Sequence, residues 1–227
     1  MEQVALGAAR WIVLTIGHLS RNRFWGEDES RARRPPLCTS ALVRAGDAVI
    51  LVDPPLPPSE MPCLLDHRAG IAPDVVTHVY LTHFHGDHRA GLEAFPGIPW
   101  LMPDAEVRYW DALLARDATE RGLLERITPL AADGGNVTRG VRTMHLPGHT
   151  PGLAGLIFDD ADGFRVVIAA DAAMTRDFFE ARAGYFNSDD FEAVARSINR
   201  LRAEADVILP GHDNLFWNRR RVKKVVP

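Results

Sequence analysis

The amino-acid sequence predicts an α/β fold in which two sheets lie between outer helices, a four-layer αββα sandwich. The first observation is a series of short apolar runs bounded by Gly, Pro and Asp, which is typical of strands. The second is that the strands of each half are followed by an amphipathic helix pattern. The third is that the 227 residues, 46% of them hydrophobic, provide enough material for one core. We therefore expect a single domain over residues 1–227.

The first half of the chain contains four predicted strands, at 11–17, 37–44, 48–52 and 75–81. Turn residues at 45–47 join the second and third strands as a hairpin. Ser59 is predicted to begin a helix that ends at Gly70, and Asp104 to cap another. The polar, Arg-rich stretch 18–36 is too long for a simple turn, and loops of this length are often lids over active sites.

The second half of the chain contains predicted strands at 127–130, 137–138, 141–146, 153–158, 164–170 and 207–209. Ser188 is predicted to cap the clearest helix, in which Phe191, Val194, Ile198 and Leu201 recur at helical spacing. The strands and the following helix repeat the order of the first half, which favours a layered arrangement.

The composition argues against several classes of protein. A net charge of −4 gives no reason to expect a nucleic-acid or membrane partner. Cys38 and Cys63 do not form a disulfide framework, which indicates a reducing compartment. The N-terminal segment lacks the basic region of a secretory signal, and no apolar run approaches the ~20 residues of a membrane-spanning helix. We therefore expect a soluble cytoplasmic protein, and we expect the basic stretch 219–224 to be a solvated tail.

Histidine and aspartate residues are concentrated where the predicted strands end. The segment THFHGDH, at 82–88, follows the strand 75–81 directly. Similar side chains follow the strands that end at 146, 170 and 209, and two of these places share the form Leu-Pro-Gly-His. A rigid strand fixes the origin of the loop after it, so such side chains can converge. The set consists of His83, His85, Asp87, His88, His149, Asp171 and His212.

This set of five imidazoles and two carboxylates is too large for one tetrahedral ion. It suits two ions about 3.5 Å apart that share one carboxylate and one hydroxide. An alternating His-x-His segment can project both side chains to the same side, so His83 and His85 are expected to hold one ion. Asp87 and His88 are expected to turn toward the second. The glycine beside each Leu-Pro-Gly-His histidine is expected to let the backbone pass close to the metal.

The motifs THFHGDH, LPGHTPG, AADAA and LPGHD together resemble those of the metallo-β-lactamase superfamily, from about residue 38 to residue 212. The resemblance implies an αββα sandwich with the metals at one edge of the sheets. It implies a first metal bound by His83, His85 and His149, a second bound by Asp87, His88 and His212, and Asp171 as the bridge. It also implies that Asp53 supports the histidine loop from behind the ligands. The Asp87-His88 pair differs from the lactamases that use Cys in the second site.

Within the superfamily, DAAMTRDFFE, a capped helix and GHD resemble the N-acyl-homoserine-lactone lactonases. Those enzymes commonly carry a tyrosine three residues after the bridging aspartate, and it donates a hydrogen bond to the lactone. This chain has Met174 there, and a thioether cannot donate. Tyr185 is a second candidate donor, with a structural role as the alternative. We therefore expect poor turnover of acyl-homoserine lactones relative to a different, anionic or aromatic, substrate.

The stretch 18–36 contains five arginines with Phe24 and Trp25 among them, partly offset by acidic residues at 27–29. One interpretation is a solvated loop. The other is a lid whose aromatic side chains and one or two arginines contact an anionic substrate, with His18 facing that substrate.

The constellation predicts a dinuclear metal-dependent hydrolase of a lactone or small ester, because a hydroxide bridging two cations exists near neutral pH. Asp87 and Asp171 are the candidate proton-transfer residues. A thioester or phosphodiester hydrolase with the same metals is one alternative, and an iron redox or sensing protein is another. The ligands suit Zn²⁺, the first choice, and also Fe, Mn or Co. The expected partner is a small molecule, without nucleic acid or membrane, and a dimer is one alternative for the oligomeric state.

Overall fold

The computed structural model describes residues 8–114 and 117–219. In these ranges two mixed sheets of six strands each pack face to face, and helices cover their outer faces. The predicted αββα sandwich is thereby confirmed. The basic stretch 219–224 lies outside the described residues, except for Arg219. Within the described ranges, none of the helices combines the length and the apolar character that crossing a membrane requires.

Each sheet keeps its strands in chain order. The first sheet contains β1 (Arg10–Thr15), β2 (Ser40–Ala45), β3 (Ala48–Val52), β4 (His78–Tyr80), β5 (Trp100–Pro103) and β6 (Ile127–Leu130). The second contains β7 (Asn136–Thr138), β8 (Val141–His145), β9 (Ala154–Asp159), β10 (Arg165–Ala170), β11 (Val207–Pro210) and β12 (Phe216–Trp217). Strands β3 to β6 are parallel, as are β10 and β11, and the other neighbouring pairs are antiparallel.

Helices occupy the crossovers between parallel strands, as parallel pairing requires. They are α1 (Met61–Ala69), α2 (Gly86–Arg89), α3 (Asp104–Leu113), α4 (Ala118–Leu124), α5 (Arg176–Ala181) and α6 (Phe191–Glu204). Helices α1 to α4 lie in the crossovers of the first sheet, and α5 and α6 in the β10–β11 crossover. The sheet edge at which parallel strands end therefore receives several loops from each sheet.

The alternation of side chains along the strands explains why there are three layers of core. On β2 and β3, Val43 and Ile50 pair with each other and point into the interface between the sheets. Their neighbours Leu42 and Leu51 point outward, where they join the core formed with α1. In the second sheet, Val167 and Ile208 likewise face α6.

The predicted helix caps differ from the observed ones. Ser188 does not cap α6, because Asp190 precedes this helix and accepts a 2.8 Å hydrogen bond from the Ala193 N–H. The Ser188 hydroxyl instead accepts a hydrogen bond from the Tyr185 N–H. Helix α1 begins at Met61 rather than at Ser59, and it ends at Gly70 in the left-handed conformation, with φ of 63°.

Candidate metal centre

The predicted ligands all follow strands that end at the same edge of the sandwich. The segment 82–88 follows β4 in the first sheet, whereas the loops that carry His149, Asp171 and His212 follow β8, β10 and β11 in the second. The candidate centre therefore draws side chains from both sheets.

The first group of converging atoms comes from three histidines and one aspartate, His83, His85, His149 and Asp171. His85 Nδ1 lies 3.0 Å from His83 Nε2 and 2.9 Å from His149 Nε2. Asp171 Oδ2 lies 3.2 Å from His149 Nε2 and 3.7 Å from His83 Nε2. A tetrahedral ion with bonds of about 2.0–2.1 Å separates its ligand atoms by roughly 3.3 Å, so the spacing fits one such ion.

The second group consists of Asp87, His88 and His212. His212 Nε2 lies 3.7 Å from Asp87 Oδ2. Asp171 Oδ1 lies 3.2 Å from His88 Nε2 and 3.4 Å from His212 Nε2. Asp171 therefore presents Oδ2 to the first group and Oδ1 to the second, which is the arrangement that a bridging carboxylate requires.

Two buried atoms that face each other at the second group have no hydrogen-bond partner among the described residues, namely His88 Nε2 and Oδ1 of Asp171. A buried polar atom without a partner is costly, and a cation between these atoms would satisfy both. Imidazole nitrogens and carboxylate oxygens are also the donors that divalent transition metals accept. On both counts the residues fit a pair of divalent ions.

The charge states of the first group suit metal binding. Burial lowers the pKa of His83, His85 and His149, the last to about 3, so these imidazoles are neutral near pH 7. A neutral imidazole is the form that binds a metal. In the second group, burial disfavours the charged form of His212, but the neighbouring Asp171 carboxylate favours it, and the pKa of His212 is raised. Burial likewise opposes the charge on Asp171, and His212 lowers the pKa of this carboxylate well below its usual range. A cation at the second group would replace the proton as the partner of Asp171.

Asp53 lies behind the histidine loop. Its Oδ1 accepts a 2.8 Å hydrogen bond from the Thr82 N–H, and its Oδ2 accepts one of 2.7 Å from the Thr82 hydroxyl. Asp53 Oδ2 also lies 2.9 Å from His88 Nδ1. A carboxylate on the far nitrogen fixes the ring orientation and leaves Nε2 for the metal.

His212 is oriented by the chain on either side of the stretch 18–36. Its Nδ1 lies 2.8 Å from the carbonyl oxygen of Leu37 and 3.2 Å from that of His18. These two residues also pair with each other at the base of the stretch. The orientation of this histidine is thus tied to the base of the loop.

The backbone is unusual at two points next to the ligands. Asp53 and Ala170, which precedes Asp171, have φ of 50° and 44°, a region that residues other than glycine rarely adopt. Such strain is concentrated at functional sites. A Cβ at Gly211 would lie 1.9 Å from Asp171 Oδ1, so this glycine permits close passage of the carboxylate. At Gly148, glycine is required by packing against α6 instead, because a Cβ there would lie 2.3 Å from the Val194 N.

A cavity of about 220 Å³ opens over the ligands. Its floor includes residues of both groups, and its walls come from two chain segments on the far side. The wall residues are Leu19, Ser20, Pro36, Tyr185, Phe186 and Asn187. The stretch 18–36 thus supplies part of the wall, and no Lys or Arg is among the described residues that line the cavity.

Of the five predicted substrate-binding residues, Tyr185 alone belongs to the described cavity lining. Its hydroxyl donates a 2.9 Å hydrogen bond to the Arg21 carbonyl. Met174 is buried against Leu19, Phe178 and Tyr185. The other three, His18, Phe24 and Trp25, are not among the described lining residues; Phe24 packs edge-on against Phe178, and Trp25 is 59% exposed.

Sequence reasoning missed Glu106, a fully buried carboxylate on α3 that touches both histidine-bearing loops. The only available signal was an acidic residue in the first turn of a predicted helix, which is ordinary there. Ser20 and Asn187, which line the cavity, carried no signal at all.

Comparison with known proteins agrees with the fold and the motifs. A family model described as Metallo-beta-lactamase superfamily matches residues 33–212. An N-acyl homoserine lactonase of Bacillus sp is 29% identical over 151 residues, which cover 64% of this chain and 59% of that protein. The N-acyl homoserine lactonase AttM of Agrobacterium fabrum is 27% identical over 165 residues, 65% of this chain and 62% of that one. The matched segment is thus less than two thirds of each relative.

Two solved structures are similar to this chain in fold. A mutant of Bacillus thuringiensis AiiA, with N-decanoyl-L-homoserine bound at its active site, superposes with a TM-score of 0.67 at 23% identity, over 87% of this chain and 88% of that one. AidC, a dizinc quorum-quenching lactonase in complex with a product, gives a TM-score of 0.66 at 17% identity, over 79% and 74%. At these identities the likeness establishes the fold.

Proposed function

The chain belongs to the metallo-beta-lactamase superfamily, and we propose that it is a dinuclear metal-dependent hydrolase of a lactone or small ester. One observation carries the proposal: Asp171 turns one carboxylate oxygen to each of two groups of buried ligand atoms. Relatives and structural neighbours that are lactonases support the choice of a lactone. The dizinc neighbour supports zinc as the metal, with Fe, Mn and Co as alternatives.

The residues of the first group, with Asp171, would hold one ion, and those of the second group, also with Asp171, the other. Two ions held there would acidify a water molecule near neutral pH and polarise the substrate carbonyl. Leu19, Tyr185 and Phe186 would exclude bulk water from the opposite side of the cavity.

Asp87 is the better of the two candidates for proton transfer. Its side chain lines the cavity and is 20% exposed, so it can meet a substrate oxygen. Asp171 is 5% exposed, and each of its oxygens faces ligand nitrogens. We therefore propose that Asp87 takes the proton given up by the attacking water and passes it to the leaving alkoxide, and that Asp171 holds the two groups of ligands at a fixed distance from each other.

The cavity wall favours an uncharged substrate over the anionic one suggested by the sequence. Three of the five arginines of the stretch 18–36 face other partners: Arg34 pairs with Glu27, Arg23 lies 3.8 Å from Glu29, and Arg21 donates to the Glu29 carbonyl. No Lys or Arg belongs to the described cavity lining, so only the metals would balance the negative charge of a phosphodiester. A cytoplasmic location and the absence of nucleic-acid and membrane partners stay predictions from the sequence.

The test combines metal analysis with a substrate panel. Purified protein should hold about two ions per chain when saturated, and His88→Ala should lose one of them. The panel contains unsubstituted lactones, short- and long-chain acyl-homoserine lactones, aryl esters, thioesters and aryl phosphodiesters. We expect turnover of lactones or esters, with the acyl-homoserine lactones poorer than the best substrate. Exclusive turnover of phosphodiesters, or visible absorption that reductant abolishes, would overturn the proposal in favour of a nuclease-like or an iron protein.

A further inference from the structure

We infer that Glu106 is a positioning residue that sets the distance between the two loops carrying His83, His85 and His149. The inference rests on the proposed function, because the three histidines are the candidate ligands of one ion. Glu106 itself faces neither group of ligand atoms. It acts through the backbone and side chains of the residues next to them.

Glu106 is the third residue of α3 and its side chain is buried. Oε1 accepts hydrogen bonds from the Phe84 N–H at 3.3 Å and from the Trp110 indole N–H at 2.6 Å. Oε2 accepts one of 2.7 Å from the Thr150 hydroxyl. Three donors therefore converge on one side chain, and both of its oxygens accept.

Two of these donors, Phe84 and Thr150, belong to the two ligand-bearing loops, whereas Trp110 lies on α3 itself. Phe84 lies between His83 and His85, after β4 of the first sheet, and Thr150 follows His149, after β8 of the second. A single rigid group on α3 thus bonds to loops that originate in different sheets. Since the His83 and His149 rings lie 5.1 Å apart at their centroids, a small displacement of either loop would change the spacing of the first group.

The loop after His149 also sits directly on the start of α3. A Cβ at Gly152 would lie 2.1 Å from the Glu106 N and 2.3 Å from its Cα. No side chain fits between loop and helix, so the carboxylate meets the loop at a fixed separation. The close contact at Gly152 and the hydrogen bond from Thr150 therefore constrain the same loop from two directions.

A purely structural role is the competing explanation, since buried carboxylates are usually hydrogen-bonded. The two explanations predict different measurements. A structural residue affects the stability of the fold and leaves metal affinity unchanged. A positioning residue affects the ion held by His83, His85 and His149 more than the ion held by Asp87, His88 and His212.

Glu106→Gln is the informative substitution, because glutamine keeps the size but replaces one oxygen by an amide N–H₂. That group cannot accept from an N–H, so it must turn toward Thr150 and reverse the bond to that hydroxyl. The bond that Phe84 keeps also loses the negative charge that strengthens it. We expect one of the two zinc affinities, measured by competition with a chromophoric chelator, to fall about tenfold or more, as substitutions behind metal ligands commonly do. The affinity that falls should be the one that His149→Ala also reduces, and the other should stay within about twofold.

Thr150 provides an independent variant, should Glu106→Gln fold poorly. Thr150→Val removes the hydroxyl donor and keeps the shape, so it should weaken the same ion, whereas Thr150→Ser keeps the donor and should restore its affinity. Val166→Ala is the stability control, since Val166 is buried between the sheets at the start of β10, five residues before Asp171. It should lower the unfolding temperature without changing either affinity.

The outcomes separate this inference from the proposed function. Two wild-type zinc affinities retained in both Glu106→Gln and Thr150→Val, with a lower unfolding temperature alone, would overturn the positioning role and leave the proposed function standing. Equal weakening of both ions would also overturn it. A wild-type protein that binds no zinc, manganese, cobalt or iron would overturn both. Because the readout is metal binding, the identity of the substrate does not enter.

Discussion

At the residue scale, the proposed function depends most on Asp171, the carboxylate that faces both groups of candidate ligands. Asp171→Asn keeps the shape but removes the negative charge, and it turns an N–H₂ toward one group of nitrogen ligands. We expect one ion to be lost or both to bind more weakly, and turnover to fall by about 100-fold or more, beyond the usual effect of residues behind the ligands. Metal content and kcat/KM measured on the same preparation check this. Near-normal turnover would remove Asp171 from the centre.

The convergence of the candidate ligands could be predicted from the sequence, because each of them follows an apolar strand within eight positions. The positions of these residues along the chain are therefore enough to predict that their side chains meet at one edge of the sandwich. Glu106 could not be predicted, since its role arises only when α3 brings it against loops from both sheets. The role of Met174 could be predicted only in part. The sequence reveals that a hydrogen-bond donor is missing at this position, but only the structure shows that Met174 is buried against Leu19 and Tyr185.

At the element scale, the Tyr185 hydroxyl makes three contacts that hold the segment 183–188 to the stretch 18–36. The Tyr185 hydroxyl donates to the Arg21 carbonyl, accepts from the Arg21 N–H at 3.3 Å, and lies 3.1 Å from the Ser20 hydroxyl. The adjacent Arg21 guanidinium also lies 4.2 Å from the centre of the Phe186 ring. These contacts form the far wall of the cavity, so the wall should loosen when the hydroxyl is removed.

Tyr185→Phe should therefore raise KM by roughly 2- to 10-fold with little change in metal content, since a hydrogen bond contributes about 0.5–1.5 kcal/mol. Trypsin should also cleave faster within the Arg-rich stretch 18–36. Tyr109→Phe is the matched control, because the Tyr109 hydroxyl bonds to Asp189 at the surface, away from that stretch. Equal KM values and equal cleavage rates for wild type and Tyr185→Phe would show that the phenol does not hold the loop.

The elements themselves were predictable in proportion to their length and pattern. Strands such as β3 and β6 lie where the sequence places them, at Ala48–Val52 and Ile127–Leu130. Strand β5, with the sequence WLMP, has no alternation and includes a proline, so it gave no signal. The cap of α6 was misassigned because Ser188 and Asp190 are both good caps, and only tertiary contacts show that Ser188 bonds to Tyr185 instead.

At the scale of the whole molecule, the candidate centre joins the two sheets. The first group takes His83 and His85 from a loop of the first sheet, and His149 and Asp171 from loops of the second. An ion bound there crosslinks the open edge of the sandwich, in addition to the apolar core between the sheets. Metal binding and folding should therefore be coupled, because the unfolded chain does not hold these ligands together.

Removing the metals should lower the unfolding temperature measurably. A ligand present at about 1,000 times its dissociation constant stabilises the folded state by roughly 4 kcal/mol. For a chain of this size that corresponds to a shift of roughly 8–16 °C. Differential scanning calorimetry before and after dialysis against a chelator measures the shift, and adding Zn²⁺ back should restore it. His67→Ala, which removes an exposed histidine on α1, should show the same shift as wild type. An unfolding temperature that does not change, with loss of the metal verified by elemental analysis, would mean that the centre does not link the sheets energetically.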